Sequence, residues 1–216
     1  FLSTFHALGV HLLREHGRAL GIPRHFSIAD RDDSLAIIKT ALQDLGYDPK
    51  SVEPRRILGA ISREKGKLIN VAHYAEHLEQ NPFGQVVLEI WRRYETTLGA
   101  GESLDFDDLI LKAVSLLRDH PTVLALCQNR WHYLHIDEYQ DTNGAQYQMA
   151  RLLAGTRENI CAVGDLDQSI YSWRGADFKN LLRFEHDFPK ATIVTLEENY
   201  RSTQTILEAA NRIITK

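Results

Sequence analysis

The run YLHIDEYQDTN, residues 133–143, decides how the rest of the chain is read. With Trp131 and His132 ahead of it, the stretch WHYLHID is a compact apolar run of buried-strand length. It ends on two adjacent carboxylates, Asp137 and Glu138. A helical pattern over 143–154 follows, then a second buried-strand candidate, NICAVG at 159–164. A helical pattern near 177–187 leads to a third, TIVTL at 192–196, rich in β-branched residues. Strand, helix, strand, helix, strand predicts an α/β fold with a parallel sheet and crossover helices. The three strands end in Asp137-Glu138, Gly164-Asp165 and Glu197-Glu198-Asn199. Ligands bind outside the carboxyl ends of strands in open parallel sheets, so these clusters are expected along one functional edge.

Moving outward, residues 1–3 are expected to finish a strand. Ser3 or Thr4 then caps a helix with Phe5, Leu8, Leu12 and Leu13 on its apolar face, stopping at Gly17. A short FSI segment follows at 26–28. From about 21 to 102 the pattern is helical, with no strand signal of strength. Asp30 caps a helix bearing Leu35, Ile38, Ala41, Leu42 and Leu45 that Gly46 ends. Pro54 opens another with Ile57, Leu58 and Ile61 on one face. Two more helical patterns lie near 71–80 and 84–98. Asp105 then caps a helix through Leu117, and Pro121 starts a short one. Asp105, Asp107 and Asp108 are read as acids that cap and polarise their helix, not as a site.

Composition narrows the class of protein. Of 216 residues, 44% are hydrophobic and 25% charged, as in ordinary globular proteins. A net charge of -4 excludes a broadly basic nucleic-acid coat, so any DNA contact must be local. Cys127 and Cys161 sit in apolar runs and are read as buried, reduced thiols, which fits a cytoplasmic protein. No run of about 20 apolar residues predicts a membrane span, and no signal-peptide pattern is present. The chain opens mid-pattern at Phe1 and closes in a helical stretch, so both ends are read as cuts through a longer protein.

Three constellations carry chemistry. In DEYQDTN, an Asp-Glu pair at a strand end suits nucleotide hydrolysis, Asp137 holding Mg²⁺ and Glu138 orienting or deprotonating water. In GDLDQSIYSWRGAD, residues 164–177, Gln168 is an amide able to touch both a phosphate oxygen and a water. Tyr171, Trp173 and Arg174 follow it closely, and aromatics beside a cation grip single strands without reading sequence. One loop could thus couple a phosphate sensor to a base-stacking residue. In LEENYRS, residues 196–202, Arg201 could reach a terminal phosphate and Tyr200 could stack on a base.

In this order and spacing, DEYQDTN, GDxDQSIYxWRGA and LxxNYRS resemble motifs II, III and IV of superfamily 1 DNA helicases of the UvrD/Rep/PcrA group. STFHALGVHLLRE resembles that family's early TFH motif, and LDFDDLI resembles the re-entry into its first motor domain. The resemblance implies a partial RecA-like P-loop NTPase sheet interrupted by an all-helical inserted subdomain. Residues 1–20 and 103–202 would belong to the first motor domain, 21–102 to the helical insertion, and 203–216 to the start of the second motor domain. It implies an ATP-dependent enzyme that moves 3′ to 5′ on single-stranded DNA and opens duplexes at single/double-strand junctions. Residue by residue, Asp137 would hold Mg²⁺ and Glu138 would activate water. Gln168 and Arg201 would contact the γ-phosphate, and Tyr200 would lie near the adenine. Thr4, His6, Tyr171, Trp173 and Arg174 would face DNA.

The chain departs from the family pattern in having no G-x-x-x-x-G-K-[ST]. Without that loop the β- and γ-phosphates lack their backbone cradle and its lysine. These residues alone are therefore expected not to hydrolyse ATP at a useful rate. Two other readings compete. One is a non-catalytic module that binds single-stranded DNA or protein. The other is a metal-dependent nuclease using Asp137, Glu138, Asp141, Asp165 and Asp167, which would leave Gln168, Trp173 and NYRS without a role.

Overall fold

The computed structural model describes residues 1–48, 51–78, 81–170, 177 and 179–214. Helix α1 (Phe5–His16) starts where Thr4 Oγ1 accepts from the Ala7 amide at 3.2 Å. Residues 1–3 precede it as irregular chain, not as the strand end expected. A 3₁₀ turn over Gly17–Leu20 closes on Gly21, whose φ of 73° needs a residue without a Cβ. Helix α1 lies along α6 (Phe106–Asp119), with Leu12 and Leu13 in one core with Leu109, Ala113, Leu116 and Met149. The contact is so close that a Cβ on Gly9 would collide with the Leu109 carbonyl oxygen. Backbone cannot swing aside as a side-chain tip can. Gly9→Ala is therefore expected to cost at least about 2–3 kcal/mol in denaturant unfolding, at the upper end of overpacking effects. A cost below about 0.5 kcal/mol would show that the helices are not pressed together in solution.

The segment 21–102 is mostly helical, as its periodicity predicts, with one correction. Ser27–Ala29 forms strand β1 and pairs in parallel with β2 (Ser103–Asp105), Ile28 opposite Leu104. Three residues are too few to display a period-2 pattern, so only the pairing reveals them. Helix α2 (Arg31–Asp44) begins in a capping box between Asp30 and Asp33. Helices α3 (Pro54–Gly66), α4 (Val71–Glu76) and α5 (Pro82–Ala100) follow. Ile38, Leu42, Ile57, Ile61, Ile90, Trp91 and Tyr94 make a second core.

Between the two cores lies a buried polar junction. Lys65, on the last turn of α3 and 1% exposed, sends its Nζ to Glu95 at 2.8 Å, Asp105 at 2.7 Å and Asp108 at 3.0 Å. The Tyr94 hydroxyl lies 2.9 Å from both Asp105 Oδ2 and Ser34 Oγ. Asp105 and Asp108 also form the capping box of α6, so the expected capping role holds. The ion cluster around that cap was not foreseen.

After α7 (Pro121–Arg130), β3 (Leu134–Ile136) and β4 (Ile160–Ala162) pair in parallel on either side of α8 (Gly144–Ala154), with His135 opposite Cys161. The first two predicted strands thus form, but only alternate residues turn inward. The third does not: residues 191–199 are irregular, and Ile193, Val194 and Leu196 are exposed. β-Branched residues favour a strand only when a neighbouring edge takes their hydrogen bonds. Helices α9 (Lys179–Asp187) and α10 (Gln204–Ile214) complete the described chain.

Cys127 is buried, whereas Cys161, expected to be buried, is exposed on β4. Burial also pushes the Cys127 thiol up, away from thiolate. A thiol titration under native conditions should consume one equivalent fast and the second only on unfolding. Two fast equivalents would contradict this packing. Among the described residues no helix is long and apolar enough to cross a membrane.

Candidate functional site

The ends of β3 and β4 lie side by side because the ladder continues past both strands. Val163 N donates to Ile136 O and Tyr139 N to Val163 O, each at 2.8 Å. This sets Asp137-Glu138 beside Gly164-Asp165, as the parallel-sheet argument predicted. Both acids are exposed. Glu138 has φ 52° and ψ 44°, a left-handed conformation costing a non-glycine residue about 1–2 kcal/mol. Strain of this kind, held by surrounding structure, is common at sites that must aim a side chain.

A line of amide and carboxylate groups joins the two strand ends. Gln140 Nε2 donates to Glu138 Oε2 at 2.7 Å, and Gln140 Oε1 accepts from the Asp165 amide at 3.1 Å. Asp165 Oδ2 then accepts from Gln168 Nε2 at 2.7 Å, while its Oδ1 caps the turn at Asp167 N. Glu138 and Gln168 are thus linked through Gln140, which is buried, and Asp165, which is exposed. A Cβ on Gly164 would lie 2.9 Å from Gln140 Oε1, so glycine makes room for the bridging amide. Gln140 was not singled out from sequence, since one glutamine in a polar run carries no periodic signal.

A second tie runs from the same segment to α9. The Thr142 carbonyl accepts from Asp177 N at 3.0 Å and from Asn180 Nδ2 at 2.9 Å, with Thr142 and Asn180 both buried. Gln168 and Asp177 are thus each tied to the DEYQDTN segment, the first through Asp165 and Gln140 and the second through Thr142. Tyr171, Trp173 and Arg174 fall outside the described residues.

Asp141 carries a buried Oδ1 with no hydrogen-bond partner. Burial, then the charge of Glu138, pushes its carboxyl up from the ordinary range. Asp137 Oδ1 accepts from Glu138 N at 3.0 Å, and among the described residues its Oδ2 takes part in no hydrogen bond. An exposed carboxylate oxygen at a strand end is the hard ligand Mg²⁺ prefers, and that ion keeps waters for its other positions. The donor set thus fits Mg²⁺. Among the described residues no three His, Cys, Asp or Glu side chains gather as a multi-ligand metal cluster. The clustered carboxylates of a two-metal nuclease are not assembled there.

The other candidates are placed less closely. Thr4 caps α1, and His6, two residues on, packs edge-to-face on Phe106 at 5.7 Å between centroids. Burial pushes the His6 imidazole down, so it is neutral near pH 7. Tyr200 and Arg201 are exposed. Their described hydrogen bonds are local: the Tyr200 hydroxyl to Glu198 at 2.7 Å, and the Arg201 amide to Asn199 Oδ1 at 3.0 Å. The third polar cluster is not brought to the β3–β4 edge by a strand.

The sequence that builds this site has relatives among known proteins. The model of the UvrD/REP helicase N-terminal domain matches residues 1–189, so this chain belongs to that family. It is 46% identical over 214 residues to an ATP-dependent DNA helicase PcrA of Leuconostoc citreum, covering 99% of this chain and 28% of that protein. Helicases of the same name from Staphylococcus aureus and Bacillus subtilis are also 46% identical over 214 residues, with 29% of each covered. The chain spans under a third of the length of these relatives.

Proposed function

We propose that this chain is part of the first motor domain of an ATP-driven DNA helicase, a RecA-like sheet carrying a helical insertion. The observation that carries the reading is the bridge from Glu138 through Gln140 and Asp165 to Gln168. It joins the side chain suited to activating water to the amide suited to sensing phosphate. Asp137 would hold Mg²⁺, and Mg²⁺ supplies charge neutralisation for the phosphates of ATP when bound. Glu138, aimed by its left-handed backbone, would take the proton of the attacking water. Gln168 and Arg201 would contact the γ-phosphate, with Tyr200 near the adenine. Loss of that contact would free Gln168 from its place beside Asp165 and so act on Tyr171, Trp173 and Arg174, which follow it in sequence and would grip single-stranded DNA. Thr4 and His6 would meet the same strand. Movement 3′ to 5′ and opening of single/double-strand junctions belong to this reading, as does a cytoplasmic location.

These 216 residues contain no phosphate-binding loop, so the same reading has them inactive alone. The test is steady-state ATP hydrolysis, with and without single-stranded DNA. It uses a polypeptide joining this segment to such a loop and to a second motor domain. Strong stimulation by DNA supports the motor. Salt-sensitive DNA binding that ignores nucleotide, with no hydrolysis, would favour a non-catalytic binding module instead.

A further inference from the structure

The Lys65 junction sits away from the strand ends and has no part in the mechanism above, yet it joins the two cores. Its ammonium faces Glu95 of α5 and Asp105 and Asp108 at the start of α6, within 3.0 Å of each. The next residue, Gly66, ends α3 against the cap of α8. A Cβ on Gly144 would lie 3.4 Å from the Gly66 carbonyl oxygen, and one on Gly66 would lie 3.6 Å from Asn143 Nδ2. Asn143 is the N-cap of α8, in a capping box with Gln146, and closes the DEYQDTN segment. Past Gly66 the chain turns through Leu68, at φ 64°, which packs into the first core. The last turn of α3 is thus pinned by charge on one side and rests on the α8 cap on the other.

We propose that Lys65 is a positioning residue: by sharing its buried ammonium among Glu95, Asp105 and Asp108, it holds the end of α3 against the Asn143–Gly144 cap and so couples the helical insertion to the segment carrying Asp137 and Glu138. Its sensitivity to the orientation of the insertion would pass to Glu138 through five residues of tightly bonded chain. The effect on turnover rests on the motor reading; the mechanical coupling does not.

Hydrogen exchange on this chain tests the coupling. In Lys65→Met, amides of 143–147 should exchange about tenfold faster, together with those of 54–66. The control is Ile61→Ala, one turn earlier on α3 and buried in the second core. It should lower the melting temperature while leaving 143–147 within about twofold of the parent. Faster exchange confined to 54–66 in Lys65→Met would overturn the proposal, as would equal effects of both variants on 143–147. Should Lys65→Met not fold, Glu95→Gln, at a partly exposed corner of the cluster, is read the same way, with about threefold expected at 143–147 and no change overturning it. In the motor-competent polypeptide, the variant should lose about tenfold of the DNA stimulation while the KM for ATP stays within about twofold. A parent without DNA stimulation would sink the motor reading, and the exchange result would still decide the coupling.

Discussion

Replacing Glu138 by glutamine in a motor-competent polypeptide is expected to cut DNA-stimulated ATP turnover by about 10²–10⁴-fold. Nucleotide affinity should stay within a few-fold. The amide has the shape of the carboxylate but cannot accept a proton from water. Its carbonyl oxygen can take the hydrogen bond that Gln140 Nε2 now gives to Glu138 Oε2, so the bridge to Asp165 survives. The backbone bond beside this left-handed residue, from Tyr139 N to Val163 O, does not involve the Glu138 side chain. Turnover and binding should therefore separate cleanly. Single-turnover hydrolysis and nucleotide titration on the same preparation measure both. Turnover within about tenfold of the parent would remove Glu138 from the chemistry. Equal losses of affinity and turnover would make it a structural residue.

The second large effect concerns stability. Lys65→Met is expected to destabilise the chain by about 3–5 kcal/mol at pH 8, because it leaves buried carboxylates without their cation. Burial opposes the Lys65 charge, but Asp108, Asp105 and Glu95 outweigh it and hold the ammonium well above the ordinary lysine value. Three carboxylates share one ammonium, so the excess falls on the acids. Burial above all raises Asp108, against the pull of Lys65 and Lys112 and with the push of Asp105 and Glu95. Burial, then Asp105, pushes half-buried Asp107 up to about 6. A raised carboxyl means that the folded chain holds its proton more tightly than the unfolded one. The stability these two groups allow is full in acid and is lost as pH rises through their folded values. Methionine removes the nearest cation and raises those values further, so at pH 5 both acids can be buried neutral. The loss at pH 5 should be about half or less of that at pH 8, read from urea unfolding at each pH. A loss independent of pH, or below about 1 kcal/mol, would show that the cluster does not hold the fold.

The helices were largely written in the sequence. Asp30, Pro54, Asp105 and Pro121 stand where α2, α3, α6 and α7 begin, because caps and proline act within one turn and need no distant partner. The runs around Leu134–Ile136 and Ile160–Ala162 were equally legible, and with them the meeting of Asp137-Glu138 and Gly164-Asp165 at one edge. Motif spacing identified the family that the comparison with known proteins then showed.

What depends on partners far along the chain was not legible. Strand β1 exists because Ser27–Ala29 meets Ser103–Asp105, 76 residues away, and three residues hold no period of their own. TIVTL has the composition of a strand but no neighbouring edge within the described chain, so it stays irregular. Cys161 looks like a core residue by its neighbours, but in a two-stranded sheet every second residue on one face stays open. Gln140 became a bridge only when two strand ends came within hydrogen-bond reach. Lys65, an unremarkable lysine late in a helix, acquired three acidic partners only when α3, α5 and α6 packed. Local signals specify turns of helix, because those forces act between near neighbours. Pairing edges, buried charges and amide bridges depend on distances that only the folded chain sets.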